Sequence, residues 1–405
     1  MTGRRQPGFS AAVLALALAG CVAHAPLAPS GEQPAPGEPG VDVVQQRRDE
    51  LAVAAADAAA DPAQMRAPVE LVEPIDSTTF VLDDAEQRVV GRVQIVLARA
   101  DDTLSDMART YGLGYDDLVN ANPGVDPWLP GEGTPVVLPT QFVLPEGPRE
   151  GIVLNIAAKR LYHFPEAAPG EPRRVITHPI GIGRVGWATP TGSASVIAKA
   201  ENPTWYVPLS VRKEHREMGD PLPAVVPPGP DNPLGHRVLK LDIEGYLIHG
   251  TNQPYGVGMR VSHGCVRLYP ENIETLYAAT ALGTPVTIVN EPVLGAWQDG
   301  RYYLQAHPVL EDDERSADEL LTAELERAAA AAKYFERDEV QPLAADVVEL
   351  ARGYPRVIAG AGETAANAEP PLAVENIVVV DNPVTEEELA ELMSAAEESD
   401  SVNLD

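Results

Sequence analysis

A cysteine and two histidines lie close together in this chain and could carry out nucleophilic catalysis. Cys265 stands in the run Ser-His-Gly-Cys-Val-Arg, and His249 lies upstream in the run Ile-His-Gly-Thr. A thiol with an ordinary pKa of about 8.5 is mostly protonated at neutral pH, so a histidine must take its proton. Two cysteines in the whole chain exclude both a disulfide framework and a Cys-based zinc site. Cys265 is therefore a candidate nucleophile.

The residues around Cys265 suit an acyl-transfer site. Gly264 has no Cβ, which lets the backbone approach a substrate closely. The backbone N–H groups of His263, Gly264 and Cys265 could form an oxyanion hole. Arg267 lies two residues after Cys265, on the same side of an extended chain, where it could hold a substrate carboxylate. Both His249 and His263 are candidates for the base.

These two runs together resemble the L,D-transpeptidase family with a YkuD-type catalytic domain, in the periplasmic ErfK/YbiS/YcfS/YnhG branch. The resemblance extends over residues 93–308 and includes the segments 179–183, 189–192, 202–207, 221–235 and 283–286. It implies that Cys265 is the nucleophile and that His249 is its base, oriented by the carbonyl group of Gly250. His263 would line the site, and the alternative is that His263 is the base.

The resemblance implies a reaction on peptidoglycan. The thiol would form a thioester with the third residue of a tetrapeptide stem, releasing the terminal D-Ala, and an amine would then take the acyl group. That amine belongs to a neighbouring stem, which gives a 3→3 cross-link, or to a lysine of a lipoprotein. No metal or organic cofactor is implied. The alternatives are a hydrolase that passes the thioester to water, as an L,D-carboxypeptidase or a lipoprotein-releasing endopeptidase, and a non-enzymatic peptidoglycan anchor.

The elements that must position these residues are mostly strands. Residues 150–290 alternate β-like runs with Pro- and Gly-rich turns, and one helix follows the active-site loop at Pro270–Ala279. The pattern predicts a mainly β catalytic domain with a two-sheet, sandwich-like architecture, and residues 291–310 extend it. The side chains of Ser262, Trp205 and Tyr206 are predicted to bind substrate, with Trp205 and Tyr206 forming an aromatic wall of the cleft. The alternative for these two aromatic side chains is a place in the core.

A smaller unit at residues 93–140 precedes the catalytic domain. Its sequence predicts the order strand, helix, helix, strand, with Asp102-Thr103 as a helix N-cap. This order and the sequence resemble a LysM domain, which binds GlcNAc-containing glycans; a LysM fold kept only for docking is the alternative. The resemblance implies glycan-binding residues at Asp102, Thr103, Leu104, Asn120, Asn122 and Pro123.

The N-terminal sequence predicts where the protein is located and that a lipid attaches it to a membrane. Arg4 and Arg5 precede an apolar stretch that is too short to span a bilayer and ends in Leu-Ala-Gly-Cys. Residues 1–21 resemble a lipoprotein signal peptide with lipidation at Cys21; an ordinary signal peptide with a chance cysteine is the alternative. Val22 favours the outer membrane, which would place the protein in the periplasm. Residues 22–75 predict a flexible tether.

Charge divides the chain into parts. The formal net charge of -30 excludes a general phosphate-neutralising surface, so nucleic acid is not an expected partner. Residues 151–310 carry 14 basic and 13 acidic groups, whereas residues 311–405 carry 6 and 25. We expect residues 311–405 to form an acidic tail that is partly helical or disordered, with a helix candidate at 311–336, a linker at 355–371 and a second helix candidate at 385–398. The alternative is that this region docks a partner or shields the site.

Overall fold

The computed structural model describes residues 71–84, 86–332, 335–360 and 370–378. Cys21, the predicted signal peptide, most of the predicted tether and the helix candidate at 385–398 lie outside the described residues. The strands are β1 (Thr79–Val81), β2 (Val89–Gly91), β3 (Gln94–Leu97), β4 (Pro135–Leu138), β5 (Gln141–Val143), β6 (Gly151–Asn155), β7 (Arg160–Phe164), β8 (Arg174–Pro179), β9 (Ile182–Gly183), β10 (Gly192–Glu201), β11 (Trp205–Tyr206), β12 (Val225–Val226), β13 (Arg237–Leu241), β14 (Leu247–His249), β15 (Arg260–Ser262), β16 (Val266–Arg267), β17 (Pro285–Val289), β18 (Val293–Gln298), β19 (Arg301–Ala306), β20 (Arg356–Gly360) and β21 (Leu372–Val374). The helices are α1 (Leu104–Thr110), α2 (Tyr115–Ala121), α3 (Leu209–Glu217), α4 (Pro270–Ala279), α5 (Ala317–Ala331) and α6 (Arg337–Leu350).

Nine strands form one hydrogen-bonded sheet in the order β1-β8-β7-β6-β17-β10-β13-β14-β16. The long strand β10 joins its two halves. Residues 192–195 of β10 pair with β17, residues 196–201 pair with β13, and the register shifts between Val196 and Ala198. Such an irregularity lets a strand bend and change partners. The mainly β prediction is therefore confirmed. In place of the two predicted sheets there is one continuous sheet, in which β10 pairs first with β17 and then with β13.

The core of the catalytic domain contains side chains from both halves of this sheet. Strand β6 is apolar at successive positions because both of its faces are covered. Ile152 and Leu154 pack with Ile248 of β14, whereas Val153 belongs to a second cluster on the opposite face. Helix α4 adds Ile273 to the first cluster, and it has the predicted bounds, with Pro270 in its first turn.

The unit at residues 93–140 has the predicted order β3, α1, α2, β4, with β3 and β4 antiparallel. Thr103 caps α1, since its hydroxyl accepts a hydrogen bond from Asp106 N at 3.1 Å. The unit packs on the outer face of β6, β7 and β8, where Arg160 of β7 forms an ion pair with Asp117 of α2 at 2.8 Å. Strand β21, from the predicted tail, pairs in parallel with β3.

Residues 293–360 form a further layered unit. Strands β18, β19 and β20 make a three-stranded sheet, and helices α5 and α6 bury its apolar face. Ser316 caps α5, with Glu319 reaching back to the Ser316 backbone. A helix is present within the predicted range 311–336, but it spans only Ala317–Ala331. The predicted linker at 355–371 is wrong where β20 extends the sheet. Residues 293–306 likewise belong to this second sheet and do not extend the nine-stranded one.

Helix α3 was not predicted. Val211 is its buried residue, and polar and charged residues make up most of the rest, so the sequence carries no apolar stripe there. Within the described ranges, no helix combines the length and the hydropathy that crossing a bilayer requires.

Candidate active site

Cys265 lies in the loop between β15 and β16, next to the start of β14. Strands β14 and β16 pair in parallel, which sets Ile248 opposite Val266 and His249 opposite Arg267. Leu268 N donates to His249 O at 2.9 Å and extends this pairing. The sheet thus brings together the two sequence runs that were predicted to share a site.

His249 is buried and its ring is held by the backbone. Nδ1 lies 2.6 Å from Gly250 O, and because a carbonyl oxygen only accepts, Nδ1 carries the hydrogen. Burial lowers the pKa of His249 to about 3, and the charge of Arg267 acts in the same direction. Backbone hydrogen bonds to Gly250 and Leu234 oppose this lowering of the pKa. The imidazole is therefore neutral at neutral pH, and Nε2 is its proton acceptor.

The Cys265 thiol is protonated in the resting site. Its Sγ lies 3.6 Å from Gly245 O, a contact in which the S–H group donates. Burial raises the pKa of Cys265, whereas a backbone hydrogen bond at Leu247 and the charge of Arg267 oppose the rise. A nucleophile in this state needs a base, and a neutral histidine stands on the adjacent strand.

Arg267 brings a positive charge next to Cys265 and His249. Burial lowers its pKa, and its Nε is buried without a hydrogen-bond partner. The N–H group of Arg267 donates to Gly181 O and the N–H group of Gly181 donates to Arg267 O, each at 2.9 Å. These two backbone hydrogen bonds fix the position of the Arg267 backbone. In the described part of the chain, no carboxylate forms an ion pair with Arg267.

His263 is held differently from His249. Its Nε2 lies 2.8 Å from Glu214 Oε2 and 3.0 Å from Arg184 Nη2. The edge of the Trp187 ring meets the imidazole at 4.9 Å between centroids. Because the carboxylate occupies Nε2, this nitrogen is not available to take the thiol proton.

Comparisons with known proteins show the family of this chain. A family model described as the L,D-transpeptidase catalytic domain matches residues 149–288. A probable L,D-transpeptidase of Escherichia coli K12, YcfS, is 42% identical over 252 residues, which are 61% of this chain and 78% of the relative. This chain belongs to the L,D-transpeptidase family.

Two further relatives of this L,D-transpeptidase have similar identity, and a solved structure has lower identity. YbiS of Escherichia coli K12, also named a probable L,D-transpeptidase, is 41% identical over 59% of this chain and 78% of its own length. ErfK/SrfK of Salmonella typhimurium LT2 is 38% identical over 57% of this chain and 75% of its own. The crystal structure of L,D-transpeptidase 3 from Mycobacterium tuberculosis aligns with 38% of this chain and 66% of its own at 20% identity, with a TM-score of 0.25.

Ser262 shapes the nucleophile loop of this L,D-transpeptidase. It was predicted to bind substrate, but it is 1% exposed and its hydroxyl donates to Cys265 O at 2.5 Å. The same hydroxyl accepts from Gly264 N at 3.2 Å. The Gly264 amide is therefore occupied, which leaves the amides of His263 and Cys265 as the candidate oxyanion-hole donors.

Gly264 is required for a reason that the sequence did not reveal. Its φ is +100°, and a Cβ at this position would lie 2.9 Å from the Tyr246 ring. Thr189, which is also buried, accepts from Gly183 N and donates to Gly264 O at 2.9 Å. Tyr246 and Thr189 thus fix the turn before the nucleophile, and only the tertiary structure brings them there.

The aromatic wall predicted at Trp205 and Tyr206 lies in a different sheet from the Cys265 loop. Trp205 and Tyr206 form β11, which pairs with β12 in a separate two-stranded sheet, and Tyr206 is 74% exposed. Among the contacts of the described residues, none joins either ring to the Cys265 loop. The aromatic side chains that meet this loop are Trp187 and Tyr246.

Half of the predicted glycan-binding residues face the interior of their unit. Leu104 is fully buried, Asp102 Oδ2 accepts from Arg99 N, and Asn122 bonds to the backbone of β4. The residues of the set that remain accessible are Thr103, Asn120 and Pro123. Within the described ranges, no group of three or more His, Cys, Asp or Glu side chains could hold a metal ion.

Proposed function

We propose that this L,D-transpeptidase acts on peptidoglycan tetrapeptide stems through a thioester on Cys265. The proposal rests on one observation above all. A protonated thiol stands immediately before β16, and a neutral histidine stands at the end of the adjacent strand β14, with Nδ1 fixed by Gly250 O so that Nε2 can accept a proton. This is the donor and acceptor arrangement that thiol acyl transfer needs.

The first half of the reaction forms the thioester. His249 Nε2 accepts the Cys265 proton, and Sγ attacks the carbonyl carbon of the third stem residue. The carbonyl oxygen becomes an oxyanion, which the amides of His263 and Cys265 stabilise. The bond to the D-Ala nitrogen then breaks, and that nitrogen takes the proton from His249 and leaves as the amine.

The second half transfers the acyl group. An amine attacks the thioester carbon, the C–S bond breaks, and His249 returns the proton it takes from the amine to Sγ. The acceptor is the side-chain amine of a neighbouring stem, which gives a 3→3 cross-link, or a lysine of a lipoprotein. Arg267 supplies a fixed positive charge that is suited to a carboxylate of the stem, because it has no internal carboxylate partner in the described residues.

Incubation of the purified chain with tetrapeptide muropeptides tests this function. Dimers linked 3→3, detected by mass spectrometry, are the expected products. Tripeptides without dimers would instead indicate a hydrolase, and the absence of turnover would indicate a peptidoglycan anchor. Adding a lysine-containing acceptor peptide to the same reaction separates the two transfer products.

The two histidines are expected to differ in their effect on acylation. His249→Ala removes the proton acceptor, and we expect the rate of Cys265 acylation to fall by about 10²–10⁴-fold. His263→Ala is expected to reduce the rate less, since the family resemblance assigns the base to His249 and Glu214 occupies Nε2 of His263. Intact-mass measurement of the acyl-enzyme over time gives both rates. Acylation that survives the first substitution and not the second would assign the base to His263.

The βααβ unit and the N-terminal segment indicate where in the cell the enzyme acts. The βααβ unit and its sequence support a LysM domain that binds glycan strands through Thr103, Asn120 and Pro123. The run before Cys21 supports a lipoprotein anchored at the outer membrane and facing the periplasm. Mass spectrometry of the mature N-terminus tests the anchor: a diacylated Cys21 is expected, and an unmodified start at Val22 or His24 contradicts it.

A further inference from the structure

The proposed reaction does not use a group of charged side chains that surrounds His263. Glu214 Oε2 lies 2.8 Å from His263 Nε2, and Arg184 Nη2 lies 3.0 Å from the same nitrogen. Arg184 also forms an ion pair with Glu214. The other titratable neighbour is His215, whose ring centroid is 5.9 Å from that of His263.

These contacts determine which nitrogen of His263 carries the hydrogen. A carboxylate oxygen only accepts, and the Glu214 contact is the shorter of the two, so we assign the hydrogen to Nε2; Arg184 then directs its hydrogens to Glu214. Burial lowers the pKa of His263, although Glu214 opposes this, so the ring is neutral with Nδ1 unprotonated. His249 holds the opposite tautomer, with the hydrogen on Nδ1.

Three segments of the chain meet at this imidazole. Arg184 N donates to Ser262 O at 3.0 Å, which joins the segment after β9 to the nucleophile loop. Trp187, from the same segment, contacts the ring. Glu214 comes from α3, in the long insertion between β11 and β12. The position where they converge is two residues before Cys265.

We infer that Glu214, with Arg184, is a positioning residue that holds His263 in the Nε2–H tautomer and thereby fixes the nucleophile loop against α3. The effect on turnover rests on the proposed function, because it acts through the placement of Cys265 and its amides. The effect on the tautomer does not depend on turnover. Two measurements therefore test the inference separately.

The first measurement is the nitrogen NMR spectrum of the histidine rings in the full chain. Wild-type His263, assigned by comparison with His263→Gln, is expected to show a protonated Nε2 and an unprotonated Nδ1 at neutral pH. Glu214→Gln retains an oxygen that accepts from Nε2 and should keep this pattern, whereas Glu214→Ala should give shifts averaged between tautomers. Unchanged His263 shifts in Glu214→Ala would overturn the inference.

The second measurement is turnover of muropeptides by the same variants. Displacing a reacting group by about 1 Å can cost about 10²-fold in rate, so Glu214→Ala is expected to lower kcat by about 10- to 100-fold with KM unchanged. Glu214→Gln should recover to within about threefold of wild type. Glu214→Ala at wild-type kcat, or Glu214→Gln as slow as Glu214→Ala, would overturn the positioning role.

A matched control lies on the same helix. Glu217 is exposed, and in the described residues its one ion pair is with Lys213. Glu217→Ala should therefore leave both the His263 shifts and kcat unchanged. Thermal unfolding of each variant shows whether a lost rate reflects a lost fold. If the wild-type chain turns over no muropeptide, the proposed function fails while the nitrogen shifts still decide this inference.

Discussion

At the scale of single residues, the resting site holds a neutral thiol and a neutral imidazole. Burial acts on both groups in the direction that disfavours charge: it raises the pKa of Cys265 and lowers that of His249 to about 3. Proton transfer between them is therefore unfavourable until substrate arrives. A thiol kept in this state is a poor target for oxidants, because the thiolate is the reactive form.

This electrostatic state predicts the pH dependence of Cys265 alkylation. Because the thiol pKa is raised, the rate of alkylation by iodoacetamide should still be rising above pH 9, with no plateau near neutral pH. Peptide mass spectrometry of Cys265 measures the rate, and the chain unfolded in denaturant is the control with an ordinary thiol. Arg267→Gln should shift the rise to still higher pH. A plateau between pH 6 and 8 would mean a thiolate–imidazolium pair at rest.

Gly264 predicts a second residue-scale effect. Gly264→Ala must adopt φ near +100°, at a cost of about 1–3 kcal/mol, and its Cβ also meets the Tyr246 ring. Gly186 is the matched control, since its φ is +80° and a Cβ there meets open space. We expect Gly264→Ala to lower the free energy of unfolding more than Gly186→Ala does, and also to slow acylation. Equal effects would show that the Tyr246 contact is unimportant.

At the scale of elements, the βααβ unit is fixed to the catalytic sheet by a buried ion pair. Arg160 is 1% exposed, and it bonds to Asp117, Gly112 O and Thr177 while lying over the Phe142 ring. Leaving a buried charge without its partner is strongly destabilising. The βααβ unit therefore depends on the catalytic domain through a contact that neither sequence segment indicates.

Two ion pairs at this interface allow a direct comparison. Asp117→Asn is expected to lower the free energy of unfolding by about 3 kcal/mol, because Arg160 stays buried. Glu271→Gln breaks an exposed pair with Arg109 across the same interface and should cost about 0–1 kcal/mol. Denaturant unfolding measures both values. Similar costs for the two variants would contradict the central role of the buried pair.

The helices show what a sequence pattern can and cannot predict at this scale. Helix α4 was predicted with its observed bounds because Pro270 marks its start and an apolar face follows. Helix α3 was missed because its sequence, Leu-Ser-Val-Arg-Lys-Glu-His-Arg-Glu, has no apolar stripe. It supplies Glu214, so a functional contact was lost together with the element. Strand β20 was missed because a Pro- and Gly-rich segment surrounds it.

At the scale of the whole molecule, the acidic C-terminal region is part of the fold. Arg260, two residues before Ser262, donates to Gly183 O and forms ion pairs with Glu311 and Asp312. Beyond these residues, α5 and α6 cover the sheet of β18, β19 and β20. The C-terminal unit therefore contacts the strand that leads into the nucleophile loop.

Truncation tests this dependence. A chain that ends at residue 310 would expose the buried face of β19, including Tyr302 and Leu304. Each large apolar side chain that is exposed in this way lowers the free energy of unfolding by about 1.5–3 kcal/mol. We expect a much lower thermal midpoint and slower acylation. A chain that ends at Val378 keeps every contact described above and should match the wild type. Wild-type stability of the shorter chain would show that residues 311–378 are dispensable.

The sequence alone determined the chemistry of this protein, because Cys265, His249, Gly250, Gly264 and Arg267 lie in two short runs whose residue types are specific. It also indicated helix α4 and some of the strands, among them β6, β10 and β17, which carry local apolar patterns and turn residues. The tertiary structure decided which contacts complete the site: Tyr246 over Gly264, Glu214 and Arg184 on His263, and Asp312 on Arg260. These partners come from distant segments, and their approach depends on sheet pairing and core packing, which no local pattern encodes.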